Sequence, residues 1–347
     1  MTERPDDAAI AVAPQRRRTG RAASVLIFLC VTMLSLAGGA LYYLHWSFNR
    51  AGPLAADTAV VVPRGASTAE IARLLDENDV IADPQLFLVG TRLFGGQAPL
   101  RAGEYAFPAG ASARDAVRIL QTADPVVHRL TIPEGWTTAE VLALVSAAAA
   151  LSGETPTAEE GSLLPETFHF QRGDSRAELV ARMRSDLQAT LDELWDGRDE
   201  GLPFADTRAA LILASIVEKE TAVPEERARV AAVFINRLKR GMKLQSDPTV
   251  AYALTGGNGV LERALLRADL KRDHPYNTYV IAGLPPGPIA NPGRASLEAV
   301  MHPADTKDLY FVADGKGGHA FAETLAEHNR NVARWRKVQR QYRNAKP

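Results

Sequence analysis

VVVPRGASTAEIARLL at 60–75, YAFPAGASARDAVRIL at 105–120 and LTIPEGWTTAEVLALV at 130–145 are three versions of one pattern. Each runs a short β-type stretch into Pro-x-Gly and then into a helix. The helix starts read as capping boxes, Ser67 with Glu70 and Thr137 with Glu140, in which a hydroxyl and a carboxylate each satisfy a free backbone N–H of the first turn. Ser112 with Asp115 is a shortened, weaker form. Apolar residues then return at helical spacing, as at Ile71, Leu74 and Leu75, so that one helix face packs on a small sheet. The spacings between the three are irregular, which makes them recurring supersecondary units and not a solenoid. The expected fold class is α+β, with a compact module at 55–125 and a larger domain at 127–345.

Upstream of the first unit, residues 22–44 (AASVLIFLCVTMLSLAGGALYYL) carry no charge. As a helix rising 1.5 Å per residue, this stretch spans the roughly 30 Å hydrocarbon layer of a bilayer. Arg16, Arg17, Arg18 and Arg21 crowd its amino-terminal side, and Tyr42, Tyr43 and Trp46 stand where an aromatic belt belongs. The charge asymmetry predicts a cytoplasmic tail at 1–21, a single transmembrane helix at 22–44, and export of everything beyond. A cleaved signal peptide calls for a shorter apolar run and a small-x-small cleavage site, and neither is seen here.

Composition narrows the function classes. The chain has 347 residues, 46% of them hydrophobic, with 40 basic against 41 acidic side chains. That is an ordinary folded protein with no charge bias toward nucleic acid. The single cysteine, Cys30, lies in the membrane segment. It excludes an internal disulfide framework and any multi-cysteine metal site. The histidines lack metal-ligand spacing: there is no H-E-x-x-H, and His302, His319 and His328 are unrelated in position. No metal or other cofactor is expected.

The larger domain holds the chemistry. DTRAALILASIVEKET at 206–221 is strongly helical, capped by Asp206 or Thr207, with Pro224 suiting the first turn of a second helix that Gly241 can close. Glu218 and Glu220 stand two apart on the first helix and point about 200° away from each other, so only one can face a given site. The Glu218 face carries Leu211, Ala214, Ser215 and Ala222, small enough to leave room for a ligand; Glu220 lies over Leu213, Ile216 and Val217, where an acid needs a partner or solvent. Spacing does not choose between them. LQSDPTVAY from Leu244, HPYNTY from His274 and GLPPGPIANPG from Gly283 are polar clusters that a core does not need. Gln245, Ser246, Asp247, Tyr276, Asn277, Thr278 and Asn291 offer the donors, acceptors and rings that hold sugars. Rigid connections and local turns account for the same residues equally well. DGKGG at 314–318, between LYFV and HAFAET, reads as a hairpin turn.

ASIVEKET, QSDPTVAYAL, PYNTY, GLPPGPIANPG, and LYFV followed by GGHAFAETLAEHN, in this order, resemble the signature blocks of the endolytic murein transglycosylases, the MltG or YceG-like family. The resemblance covers nearly the whole chain, and His274 departs from the small residue expected there. It implies a membrane helix, a LysM-like module at 55–125 and a YceG-like catalytic domain at 127–345, in the bacterial cytoplasmic (inner) membrane with that domain periplasmic. It implies Glu218 as catalytic acid, its pKa raised by an apolar cleft, with Ser215, Gln245, Ser246, Asp247, Tyr276, Asn277, Thr278 and Asn291 as substrate contacts. It implies peptidoglycan glycan strands as substrate and membrane-bound murein synthases as partners. One carboxyl suffices for such an enzyme, because the C6 hydroxyl of N-acetylmuramic acid is the nucleophile, whereas a hydrolase needs two. A non-catalytic murein-binding scaffold and a lysozyme-type hydrolase are the rivals.

Overall fold

The computed structural model describes residues 19–345. Most of the basic tail, with Arg16, Arg17 and Arg18, lies outside the described residues. The chain divides into two compact units, with Val126 ending the first and Val127 opening the second.

In the first unit, helix α1 (Thr19–Asn49) contains an apolar stretch, Ala23–Asn49, long enough to cross a membrane. From Ala23 to Tyr43 its side chains are exposed, whereas Leu44 and Phe48 are buried at 8% and 2% exposure. Phe48 enters the core of the module with no linker between. Strands β1 (Thr58–Val62) and β2 (Gly103–Phe107) pair antiparallel, Val60 opposite Tyr105. Alternation sends Val60, Val62, Tyr105 and Phe107 inward, against Ile71 and Leu75 of α2 (Thr68–Glu77), Phe87 of α3 (Pro84–Phe94) and Leu120 of α4 (Ala113–Thr122). Phe48 seats against Gly90 of α3, where a Cβ would come within 2.3 Å of the ring. Gly65 and Gly110 take φ of +82° and +70°, turning the chain after Pro63 and Pro108, whose carbonyls accept from Ala66 and Ala111.

All three capping boxes form, including Ser112 with Asp115, expected to be the weaker one. Asp115 reaches the Ser112 N–H at 3.2 Å and its hydroxyl at 2.6 Å, so the shorter side chain closes the box.

The second unit opens with the third repeat, whose strand β3 (Val127–Thr131) pairs antiparallel with β4 (Thr167–Gln171). A first core gathers Ile132, Val141 and Val145 of α5 (Thr138–Ala147), Phe168, Phe170, and Met183 of α6 (Arg176–Asp196). A second core is built on α7 (Thr207–Glu220), buried without a break from Ile212 to Val217. A helix apolar on every side belongs at the centre. It packs against α8 (Arg227–Lys239) and α10 (Arg294–Met301) through Leu213, Ile216, Val230, Phe234, Leu297 and Val300. Pro224 opens a short 3-10 turn, Pro224–Glu226, ahead of α8, and not the α-helical turn expected. Helix α9 (Asp247–Thr255) follows, then the hairpin β5 (Tyr310–Ala313) and β6 (His319–Ala322) and helix α11 (Leu325–Ala345). Asp314 ties the hairpin turn, accepting from the N–H groups of Lys316 and Gly318. His319 meets Glu226 at 2.8 Å, four-residue neighbour Glu323 having no part in the contact.

Candidate functional site

Helix α7 ends between two very different environments, one on each side. On one side lies Glu218, its side chain 7% exposed. One carboxylate oxygen accepts from the Gly293 N–H at 3.0 Å, at the start of α10, where negative charge favours the helix terminus. The other lies 4.0 Å from Arg227, which is equally close to Glu134. Desolvation and the Glu218 charge raise the Glu134 pKa. The proline-rich segment approaches this face of the helix, bonding Ser215 and Glu218 through the Ile289 and Gly293 N–H groups. Ser215, fully buried, donates to the Ile212 carbonyl and accepts from the Ile289 N–H.

On the other side, Glu220 lines a cavity of about 180 Å³ with Gln245, Asp247, Tyr279 and Arg237. The Ser246 hydroxyl donates to its carboxylate at 2.5 Å. Desolvation lifts the Glu220 pKa to about 7; the Ser246 hydrogen bond and Arg237 oppose the rise, and the nearby Asp247 charge adds to it. Among the described residues no ion pair to Arg237 is seen. Its guanidinium is spent on the carbonyls of Leu309 and Leu244, each at 2.7 Å. The Tyr279 hydroxyl donates to Asp247 at 2.6 Å, and burial holds that phenol protonated far above its ordinary range.

The α8–α9 connection shapes the cavity wall. Gln245 adopts φ +52°, and among the described residues only Asp79 shares that region with it outside glycine. Left-handed backbone on a bulky residue is strain that the surroundings must hold. Here the Gln245 N–H donates to the Thr278 carbonyl, and the Ser246 N–H to the Thr278 hydroxyl. Thr249 closes the group by bonding the Ser246 carbonyl and the Thr278 hydroxyl. Ser246 sits at the N-cap of α9 without capping it, since its hydroxyl is turned to Glu220.

The expected contact residues therefore separate into two sets. Gln245 and Asp247 line the Glu220 cavity. Ser215, Ser246, Asn277, Thr278 and Asn291 are buried at 1% exposure or less, and their polar groups are engaged within the protein. Asn277 holds the carbonyls of Asp269, Leu270 and Arg272 while accepting from the Tyr279 N–H, so it shapes the loop that presents Tyr279. Asn291 bonds Trp136, Thr138 and the Leu163 N–H. In this structure the hydrogen bonds of these five are made within the protein. The Tyr276 ring lies 4.8 Å from that of Tyr252, tilted by 44° to it, and does not line the cavity. Tyr279 and Arg237 escaped the sequence reading, although Tyr279 ends the PYNTY block; Arg237 looks like any helical surface arginine.

Comparison with known proteins places the chain in a family. The YceG-like family matches residues 60–334. The chain is 31% identical over 307 residues to a Bacillus subtilis (strain 168) protein named endolytic murein transglycosylase, covering 78% of this chain and 82% of that one. It is 29% identical over 358 residues to a protein of the same name from Streptococcus pneumoniae serotype 2, covering 90% of this chain and 65% of that one. Among solved structures, a yceG-like protein from Listeria monocytogenes shares 30% identity at a TM-score of 0.49, covering 79% of this chain and 98% of that chain. The match spans most of the sequence, in the first unit and the second alike: the chain belongs to the YceG-like family.

Proposed function

We propose that this chain is a peptidoglycan lytic transglycosylase tethered to the bacterial inner membrane, and that Glu220, and not Glu218, is its acid–base residue. The relatives' shared name supports the enzyme class. The observation that carries the residue choice is the Glu220 cavity: one carboxyl with a pKa of about 7 facing open space, its neighbour two residues earlier sealed under Gly293. A group poised near the working pH can give a proton and take one back.

Neutral Glu220 donates its proton to the glycosidic oxygen between N-acetylmuramic acid and N-acetylglucosamine as that bond breaks. The resulting carboxylate accepts the proton of the muramic C6 hydroxyl, whose oxygen bonds the anomeric carbon, leaving a 1,6-anhydro end. Asp247, held by Tyr279, sets negative charge beside the oxocarbenium-like transition state. The β1-α2-α3-β2 unit acts as the LysM-like glycan-holding module, and α1 as the anchor with its amino terminus in the cytoplasm. Membrane-bound murein synthases are the partners this placement suits, the cut ending strand growth.

Mass spectrometry of uncrosslinked murein strands after incubation with the full chain tests the reading. Ends lighter by one water than hydrolysed ends are expected, falling by about 10³-fold in Glu220→Gln and retained in Glu218→Gln. Loss in Glu218→Gln alone would return the role to Glu218. Reducing ends would mark a hydrolase working through Asp247 as second carboxylate, and intact strands that co-sediment with the protein a scaffold.

A further inference from the structure

A groove of about 390 Å³ shares Asp247 with the Glu220 cavity. One stretch of its wall is aliphatic, with Pro248 and Ala251 of α9, Val260, Leu261 and Leu265 of the loop after it, and Ile289 of the proline-rich segment; the rings of Trp136 and Tyr252 and a polar set that includes Glu140 and Lys219 line the rest. A sugar ring carries hydroxyls around its rim, and each one laid on an aliphatic wall loses its water partner without replacement. Small apolar side chains suit such a wall. Val260 is 81% exposed, surface that an occupant would cover.

The charges at the groove are not equivalent. Glu140 is closed into its capping box by the Thr137 N–H and hydroxyl, and Asp247 accepts from Tyr279. Lys219 Nζ donates to the Gly135 carbonyl at 3.0 Å, which uses one of three N–H groups. An ammonium with donors to spare at the rim of an apolar groove is a receptor for a carboxylate.

We infer that this groove is the subsite for the stem peptide of the murein strand, with methyl-bearing residues along the aliphatic wall and a peptide carboxylate on Lys219. The inference rests on reading the chain as a murein-cleaving enzyme. Continuity through Asp247 brings the peptide-bearing sugar to the acid, so the groove selects which bond is cut.

The test compares two substrates for the full chain in detergent: uncrosslinked strands with their stems, and the same strands stripped by an amidase. Wild type is expected to show a kcat/KM about tenfold higher on stem-bearing strands, carried by KM, and Lys219→Met to bring that ratio close to one. Equal wild-type values on the two substrates, or an unchanged ratio in Lys219→Met, would overturn the subsite. Failure of the catalytic reading is separable, because co-sedimentation of Glu220→Gln with each strand reads the same preference as binding. Equal binding of both strands there would overturn the subsite whatever the chemistry.

Discussion

Glu218 and Glu220 differ at the residue scale in what surrounds them more than in what they are. Desolvation raises the Glu220 pKa to about 7, and the Ser246 hydrogen bond holds it from going higher. The alkaline limb of the kcat/KM profile is therefore expected near pH 7. Ser246→Ala removes a stabiliser of the carboxylate and should move that limb to higher pH; Asp247→Asn removes a repelling charge and should move it lower. A limb unmoved in both variants would detach Glu220 from the proton transfer. Stability carries the same signature. Between about pH 4.5 and 7 the native state binds the proton that the unfolded chain has released, so this group's contribution falls as pH rises through that window. Glu220→Gln should accordingly be more stable than wild type at pH 8, by on the order of 2–3 kcal/mol, with the advantage gone at pH 4. Denaturant midpoints at the two pH values check it.

At the scale of elements, one recurring unit serves two purposes. The first two Pro-x-Gly turns follow strands that pair with each other, whereas the third is drawn into the proline-rich segment, where the Gly135 N–H donates to the Asn291 carbonyl and the Asn291 N–H to that of Trp136. The Asn291 side chain completes the junction. Asn291→Ala strands the buried Leu163 N–H and should cost about 2–3 kcal/mol in the second unit, measured by urea unfolding. Capping boxes, the α7 helix and the 314–318 hairpin turn were legible in the sequence because each is set by residues within a few positions of one another. The backbone partner of Glu218 was not legible for the opposite reason, because Gly293 lies 75 residues away in the chain.

For the molecule as a whole, the apolar helix α1 is continuous with the module beyond it. Leu44 is buried and Phe48 belongs to the module's core, while residues of the same helix only a turn or two earlier are exposed, as lipid contact would require. A chain begun at Leu41 should keep the first unit's stability, and one begun at Arg50 should lose about 3 kcal/mol or more with the Phe48 plug on Gly90. Thermal unfolding of the two truncations distinguishes them; equal midpoints would mean that α1 is only an anchor.

Sequence alone determined the α+β class, the apolar amino-terminal helix, the capped repeats and the family resemblance, since periodicity, caps and ordered motifs are properties of short windows. The tertiary structure decided which glutamate meets the cavity, which polar residues line it and which are consumed in holding it. Desolvation is set by segments remote in the chain, and two carboxylates two residues apart on one helix acquire opposite environments only when those segments close over one of them.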